Sequence, residues 1–363
     1  MAVSNVEQQG SWVENLDPDV RRLYKEGKLQ DVSQSFLEKS HVIFQRRLRK
    51  DAVVPQDVVS PDNPPKARYE ESDYEKTEEP RYVVSENSLG SGGFGTVLDI
   101  YDLRLGLFLA MKRLKLPKNL QFVDRDQRED FIELEAKTQG NLRHKNLPVT
   151  YDFFWDNGTP VFVMEKFDPK EYFSLKESAV TTAEAITKIL DQISDVVMYC
   201  HDKGLYHQDL KPTNILIDKN GLVKVLDFGV SSWVSKDSSA GTMAYLSPER
   251  NALHPKGYDN LRSEVFTLGS MLYEMVTGKP LYDFPGDDSG SMANIRLHDM
   301  PELNDEEKEL FLKKAAEKGF DAAQLLAVLE KSHSKDPQER YETPEALAKA
   351  VDAARVNPTT SSS

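Results

Sequence analysis

Two carboxylates and one amide stand out in this 363-residue chain because their spacing suits work on a phosphate. The stretch His207-Gln208-Asp209-Leu210-Lys211-Pro212-Thr213-Asn214 is followed by an apolar run, Ile215 to Ile217, a turn at Asn220-Gly221, a second apolar run, and then Asp227-Phe228-Gly229. A short hairpin between Asn214 and Asp227 would bring these groups together. Phosphoryl transfer from ATP requires such a set: one carboxylate for the attacking hydroxyl, and the other, with the amide, for Mg²⁺. Upstream lies Gly90-Ser91-Gly92-Gly93-Phe94-Gly95-Thr96-Val97, where glycines let backbone N–H groups approach a polyphosphate without Cβ clashes. A strand leads out of this turn, whereas the dinucleotide-binding fingerprint requires a helix there. The returning strand, Leu107 to Met111, carries Lys112 to where a cation can meet the α- and β-phosphates. A lysine at such a position is, taken alone, more often a solvent-facing strand end.

The elements that must position these groups are legible as patterns. Strand-like runs at Tyr82–Val84 and Thr96–Tyr101 flank the glycine-rich turn, and a helix is expected over Arg128 to Leu142. Before them the chain divides into zones. Residues 1–50 read as a helical extension: Asp17 can N-cap, Pro18 suits the first turn, and Val20, Leu23 and Tyr24 share a face before Gly27. A second helix is expected from Phe36, Leu37, Ile43, Phe44 and Leu48, whose spacing is helical. This pair, within residues 17–50, would dock on a partner or on the chain itself and is a candidate regulatory element. The run Arg46 to Lys50 reads as the solvated end of that helix. Residues 51–80, with five prolines and an acidic run, read as a linker, residues 81–355 as the folded domain, and 356–363 as a polar tail.

Bulk properties exclude several classes. The net charge of −14 opposes binding to nucleic acid through a positive footprint. No apolar stretch is long enough to span a bilayer, and the first residues lack the build of a secretory signal, so the cytosol or nucleus is expected. The one cysteine, Cys200, rules out an internal disulfide and reads as a small buried hydrophobe.

From Tyr82 to about Ala354 the chain resembles the eukaryotic-type protein kinases, with the motifs in the same order and spacing. The resemblance implies an α+β, two-lobed protein kinase fold: a small antiparallel β lobe with one key helix (81–165), then a larger, mainly helical lobe (166–355), with ATP between them. It implies that Asp209 is the catalytic base, that Lys211 steadies the γ-phosphate, and that Asn214 and Asp227 hold Mg²⁺. Lys112 would form an ion pair with a glutamate on the helix. Glu133 and Glu135 compete, and the distance from Glu135 to His144 is the family's spacing, which selects Glu135. The nucleotide would meet Leu89, Gly90, Gly92, Gly93, Phe94, Gly95, Val97, Ala110 and Leu216, with Met164 as gatekeeper and the hinge backbone near Glu165 and Phe167 on the purine edge. Val97, Ala110 and Leu216 would each be ordinary core residues if met alone. Glu249 is expected to pair with Arg340 as scaffold, and His207 to be a packing residue. Lys211 with Thr242 implies a protein substrate with a Ser or Thr acceptor.

Three departures from the family pattern carry consequences. Gln208 stands where many members have arginine, so the clamp for an activation-loop phosphate is missing, although Ser235, Ser238 and Ser239 remain candidate autophosphorylation sites. Glu264 and Phe266 replace the usual aspartate and tryptophan, and the extra methylene of Glu264 would alter how it holds the catalytic-loop backbone. Gln139 and Thr150 put polar groups into an internal column that is usually apolar. That last departure predicts that the N-terminal segment completes or locks the small lobe.

Overall fold

A computed structural model of the chain describes residues 11–43, 46–48, 74–76, 80–92, 95–115, 125–178, 180–207, 209–227, 244–251, 259–282 and 303–356. These residues group into two compact units, Met1–Leu114 with Val161–Lys166, and Lys115–Pro160 with Phe167–Ser363. The expected helix therefore groups with the second unit, not with the strands of the expected 81–165 lobe.

In the first unit, α1 (Pro18–Lys25) starts as anticipated: the Asp17 carboxylate accepts from the Asp19 and Val20 N–H groups, and Pro18 fills the first turn. Val20 and Leu23 are fully buried. The second expected helix is cut short. Only α2 (Gln34–Leu37) is helical, and β1 (Ser40–Ile43) and β2 (Arg46–Leu48) are strands. The physical reason is the β-branched pair Val42-Ile43 beside the open edge of β4 (Tyr82–Gly92), with which β1 pairs antiparallel; ladder formation outweighs helical spacing in a short apolar run. Arg46–Leu48 of the basic run is accordingly a strand, not a helix end, and β2 pairs with β3 (Tyr74–Lys76) inside the expected linker.

After β4 come β5 (Gly95–Asp102), β6 (Leu107–Leu114), β7 (Thr150–Asp156) and β8 (Thr159–Met164). Within the first unit the sheet runs β1-β4-β5-β6-β8. On one side of it Val13, Leu16, Val20, Leu23, Leu29, Val32, Phe36 and Leu37 form a buried cluster with Val83, and Tyr101 and Leu103 pack against it. The N-terminal segment is thus docked on the chain itself.

The second unit holds α3 (Arg125–Gly140), β7, and a three-stranded sheet of β9 (Tyr172–Ser174), β10 (Ile215–Asp218) and β11 (Val223–Val225) in the order β11-β10-β9. Its helices are α4 (Ala183–His201), α5 (Pro248–Asn251), α6 (Asn260–Thr277), α7 (Asp305–Lys318), α8 (Ala322–Ser332) and α9 (Pro344–Ala353). Thirteen residues of α6 are buried, which makes it the central helix of the core. Gly269 permits this: a Cβ there would run into Ser332 and His333 at the end of α8. No helix among the described residues is long and apolar enough to cross a membrane.

Candidate active site

The catalytic loop is built from a buried scaffold outward. α4 ends at His201, α6 crosses beneath it, and Glu264 of α6 spans both: its Oε1 accepts from the His207 backbone N–H at 3.1 Å and its Oε2 meets His201 Nε2 at 2.9 Å. The longer side chain therefore reaches the catalytic-loop backbone and holds a second partner as well. His207 is fully buried; its Nε2 donates to the Leu226 carbonyl at 2.7 Å and its Nδ1 accepts from the Asp209 N–H at 3.3 Å. That pairing fixes a neutral tautomer, and burial lowers the histidine's pKa in agreement. His207 is thus a strut between Asp209 and the end of β11. The same Glu264 charge, added to burial, pushes the Cys200 thiol up to about 12, so Cys200 is an inert hydrophobe.

Two of the residues singled out by spacing converge on the carboxylate of a third. Asp209 is 3% exposed. Lys211 Nζ donates to Asp209 Oδ2 at 2.8 Å, and Asn214 Nδ2 donates to the Asp209 carbonyl at 2.9 Å and to Oδ2 at 3.3 Å. Asp209 Oδ1 is buried and has no hydrogen-bond partner among the described residues. A buried carboxylate oxygen left open is costly unless something else fills it. The short 3-10 turn Pro212–Asn214 sets this geometry.

Asp227 is carried to the same place by backbone bonding: the Leu226 N–H donates to the Asn214 carbonyl at 2.8 Å, and Asp227 then turns with φ 63°. A left-handed non-glycine residue costs on the order of 1–2 kcal/mol, a strain of the kind held at functional positions. The hairpin is braced by residues that motif spacing did not reveal. Asn146 Nδ2 donates to the Val223 carbonyl at 2.7 Å, the Asn146 carbonyl accepts from Val225 at 2.8 Å, and Gln192 Oε1 accepts from Val223 N–H at 3.1 Å. Asn146 lies two residues after His144, and neither it nor Gln192 nor His201 was singled out in the sequence.

The first unit presents the other residues on one sheet face. Opposed residues of antiparallel strands point the same way, and alternate residues of a strand share a face. Val97 opposes Lys112, Lys112 opposes Phe162, and Ala110 opposes Met164, so Val97, Ala110, Lys112 and Met164 lie on one face. Lys112 and Ala110 are buried and Val97 and Met164 half-buried. Gly95 adopts φ 137°, and a Cβ there would collide with the Arg113 carbonyl, so glycine is required where β5 leaves the loop. Leu89 and Gly90 are exposed at the end of β4, and the half-buried Glu165 follows Met164. In the second unit Leu216 opposes Ser174 and Lys224, and the Phe167 ring meets Tyr172 edge-on at 4.9 Å.

Glu249 and Arg340 form the expected pair, with contacts of 2.6 and 3.0 Å. On α3, Glu133 accepts a long bond from the Trp155 indole at 3.4 Å and lies 3.9 Å from Lys137. Gly93, Phe94, Gln208, Ser235, Ser238, Ser239 and Thr242, and the side chain of Glu135, lie outside the described residues. Gln139 and Thr150 are both half-buried.

Against known families, the protein kinase domain matches residues 83–351. The chain belongs to the protein kinase family. It is 32% identical over 276 residues to the probable serine/threonine-protein kinase PknB of Corynebacterium glutamicum, a match covering 72% of this chain and 40% of that one. It is 28% identical over 200 residues to mouse Aurora kinase C, covering 54% of this chain and 70% of the relative. Among solved structures, Rad53 1-466 in complex with AMP-PNP has the same fold, at a TM-score of 0.55 and 22% identity, with 75% of this chain and 65% of that one covered. Two bacterial relatives are each spanned over only about two fifths of their length, 40% and 39%.

Proposed function

We propose that this kinase-family chain transfers the γ-phosphoryl group of ATP directly to a Ser or Thr hydroxyl of a protein substrate. The observation that carries the reading is the Asp209 carboxylate, buried, gripped on one oxygen by Lys211 and Asn214, and open on the other. The open Oδ1 is the acceptor for the substrate hydroxyl. As the substrate hydroxyl oxygen bonds to the terminal phosphorus, the bond from that phosphorus to the bridging oxygen breaks, ADP leaves, and Asp209 receives the hydroxyl proton. Lys211 holds Asp209 in one orientation and places a positive charge beside the transferring group.

The donor set fits Mg²⁺. Asn214 and Asp227 supply one amide oxygen and one carboxylate, the sparse protein ligation that this cation takes when phosphates complete its shell. Bound there, it would neutralise charge on the phosphate oxygens. Lys112 and the glycine-rich turn would bind the polyphosphate, and Val97, Ala110, Met164 and Leu216 the purine. Glu135 is the reading for the Lys112 partner, supported by the engagement of Glu133 with Trp155 and Lys137. Ser/Thr selectivity follows from Lys211 and Thr242 and is supported by the relatives' names. Gln208 removes the arginine clamp, so activity would not depend on an activation-loop phosphate.

The test is incubation of the purified chain with labelled ATP, Mg²⁺ and a general acceptor such as myelin basic protein, beside Asp209→Asn and Asp227→Ala, with phosphosites mapped by mass spectrometry. Label on Ser or Thr with the unaltered chain alone is expected. No label, with ATP still raising the melting temperature, would refute catalysis and leave a nucleotide-binding scaffold.

A further inference from the structure

The strand that delivers the glycine-rich turn is interrupted just before it. β4 pairs with β5 from Tyr82 to Val84, then shifts register, so that Ser85, Glu86 and Asn87 face the single residue Asp99 before pairing resumes at Ser88↔Leu98. A bulge of this kind leaves strand groups without ladder partners and frees the chain to slip. On its other edge, however, β4 is held through the same interval. Ser85 opposes Ser40 of β1, and the Glu86 N–H donates to the Lys39 carbonyl at 2.6 Å. Ser85 and Ser40 are both buried, at 0% and 7% exposure. Side chains add to this within the bulge and just past it: the Asn87 N–H donates to Ser85 Oγ at 3.2 Å, and the Gly90 N–H to Ser88 Oγ at 3.2 Å.

β1 is itself anchored. The Ser40 hydroxyl donates to the Phe36 carbonyl at 2.6 Å, and Phe36 meets Phe108 of β6 edge-on at 5.3 Å. Behind it stands the cluster from Val13 to Leu37 that closes on Val83. Residues 11–43 all precede residue 83, where the match to the kinase domain begins. They lie outside the stretch matched to that domain.

We propose that residues 11–43 are a positioning element for nucleotide binding: β1 bridges the bulge in β4 and holds the approach to Gly90–Gly95 in the register that receives the ATP phosphates. The proposal rests on the nucleotide-binding reading above. Without β1, Ser85–Asn87 would exchange with water and the turn would have to be ordered by ATP itself, so the loss falls on affinity. The phosphoryl-transfer groups of the second unit would be untouched.

The discriminating change is His41→Pro. The Lys39 and Ile43 carbonyls both accept from the β4 side, so by the two-residue alternation of a strand the His41 N–H faces β4 as well, and proline removes it. His41 is exposed and lies outside the apolar cluster. His41→Thr keeps the N–H and is the conservative control. In the full chain, His41→Pro is expected to raise KM for ATP about tenfold, a change of about 1.4 kcal/mol, with kcat and KM for the acceptor within about twofold. His41→Thr should match the unaltered protein. KM for ATP unchanged in His41→Pro, or a fall in kcat and a rise in both KM values together with a lower melting temperature, overturns the proposal. If His41→Pro does not fold, hydrogen exchange in the unaltered, nucleotide-free protein decides: slow exchange at Glu86 supports the strand's hold, and loop-like exchange there overturns it. An unaltered chain that shows no ATP-dependent melting shift refutes the nucleotide reading, a result distinct from an ATP-binding chain that is indifferent to His41→Pro.

Discussion

Glu249→Gln should cost about 3 kcal/mol or more of stability, because the pair it breaks is buried, bidentate and built into a guanidinium whose every nitrogen donates. The Arg340 side chain is 0% exposed and Glu249 14%. Arg340 donates to both Glu249 oxygens at 2.6 and 3.0 Å, to the Ser334 carbonyl at 2.8 Å and to the Arg262 carbonyl at 3.2 Å, and its guanidinium lies 5.0 Å over the Phe266 ring. Removing the carboxylate charge leaves this cation buried without its counter-ion, which costs about 3–5 kcal/mol where measured in proteins. Arg340→Lys should fare little better, because an ammonium cannot make the fork. Urea denaturation followed by circular dichroism measures the change, and the double substitution Glu249→Gln with Arg340→Met should be less destabilised than the sum of the two singles. A loss below about 1 kcal/mol, or one abolished by 0.5 M salt as for a screened surface pair, would show that the pair is not the buried anchor described.

Four further outcomes follow from the site. Asp209→Asn should lower kcat about 10²–10⁴-fold with a melting temperature within a few degrees, measured by label transfer and thermal unfolding. Gly95→Ala should weaken ATP binding, because its Cβ meets the Arg113 carbonyl, and calorimetric titration with ATP would show it. His201→Leu should lower kcat by about tenfold, since Glu264 loses its second partner, while His201→Asn, which can donate in its place, should recover part of it. His333 is pushed down to about 4 by burial, against 6.5 unfolded, so the unfolded chain binds the extra proton between those values. Stability from this group is full above pH 6.5 and falls by up to about 3 kcal/mol as the pH drops toward 4; His333→Phe should flatten that limb of a melting-temperature profile.

The meeting of Asp209, Lys211 and Asn214 was legible in the sequence because it is local. Asp209, Lys211 and Asn214 fall within six residues, so a single loop and its 3-10 turn can bring them together, and the hairpin to Asp227 needs only two apolar runs and an Asn-Gly turn. The need for glycine at position 95 and the start of α1 were legible for the same reason, since glycine placement and an Asp-Pro cap act on their own neighbours. What the tertiary structure decided lies where two distant segments had to meet. Ser40–Ile43 has apolar spacing that suits a helix, and it is a strand because β4 offers an open edge that no local window contains. Glu264 read as a departure from pattern, but packing α4 against α6 gives its extra methylene a use, placing His201 on one oxygen and the catalytic loop on the other. Asn146 and Gln192 bracing β11 follow the same rule: a hydrogen bond across the core depends on the path of the whole chain, whereas a turn or a cap depends only on the residues beside it.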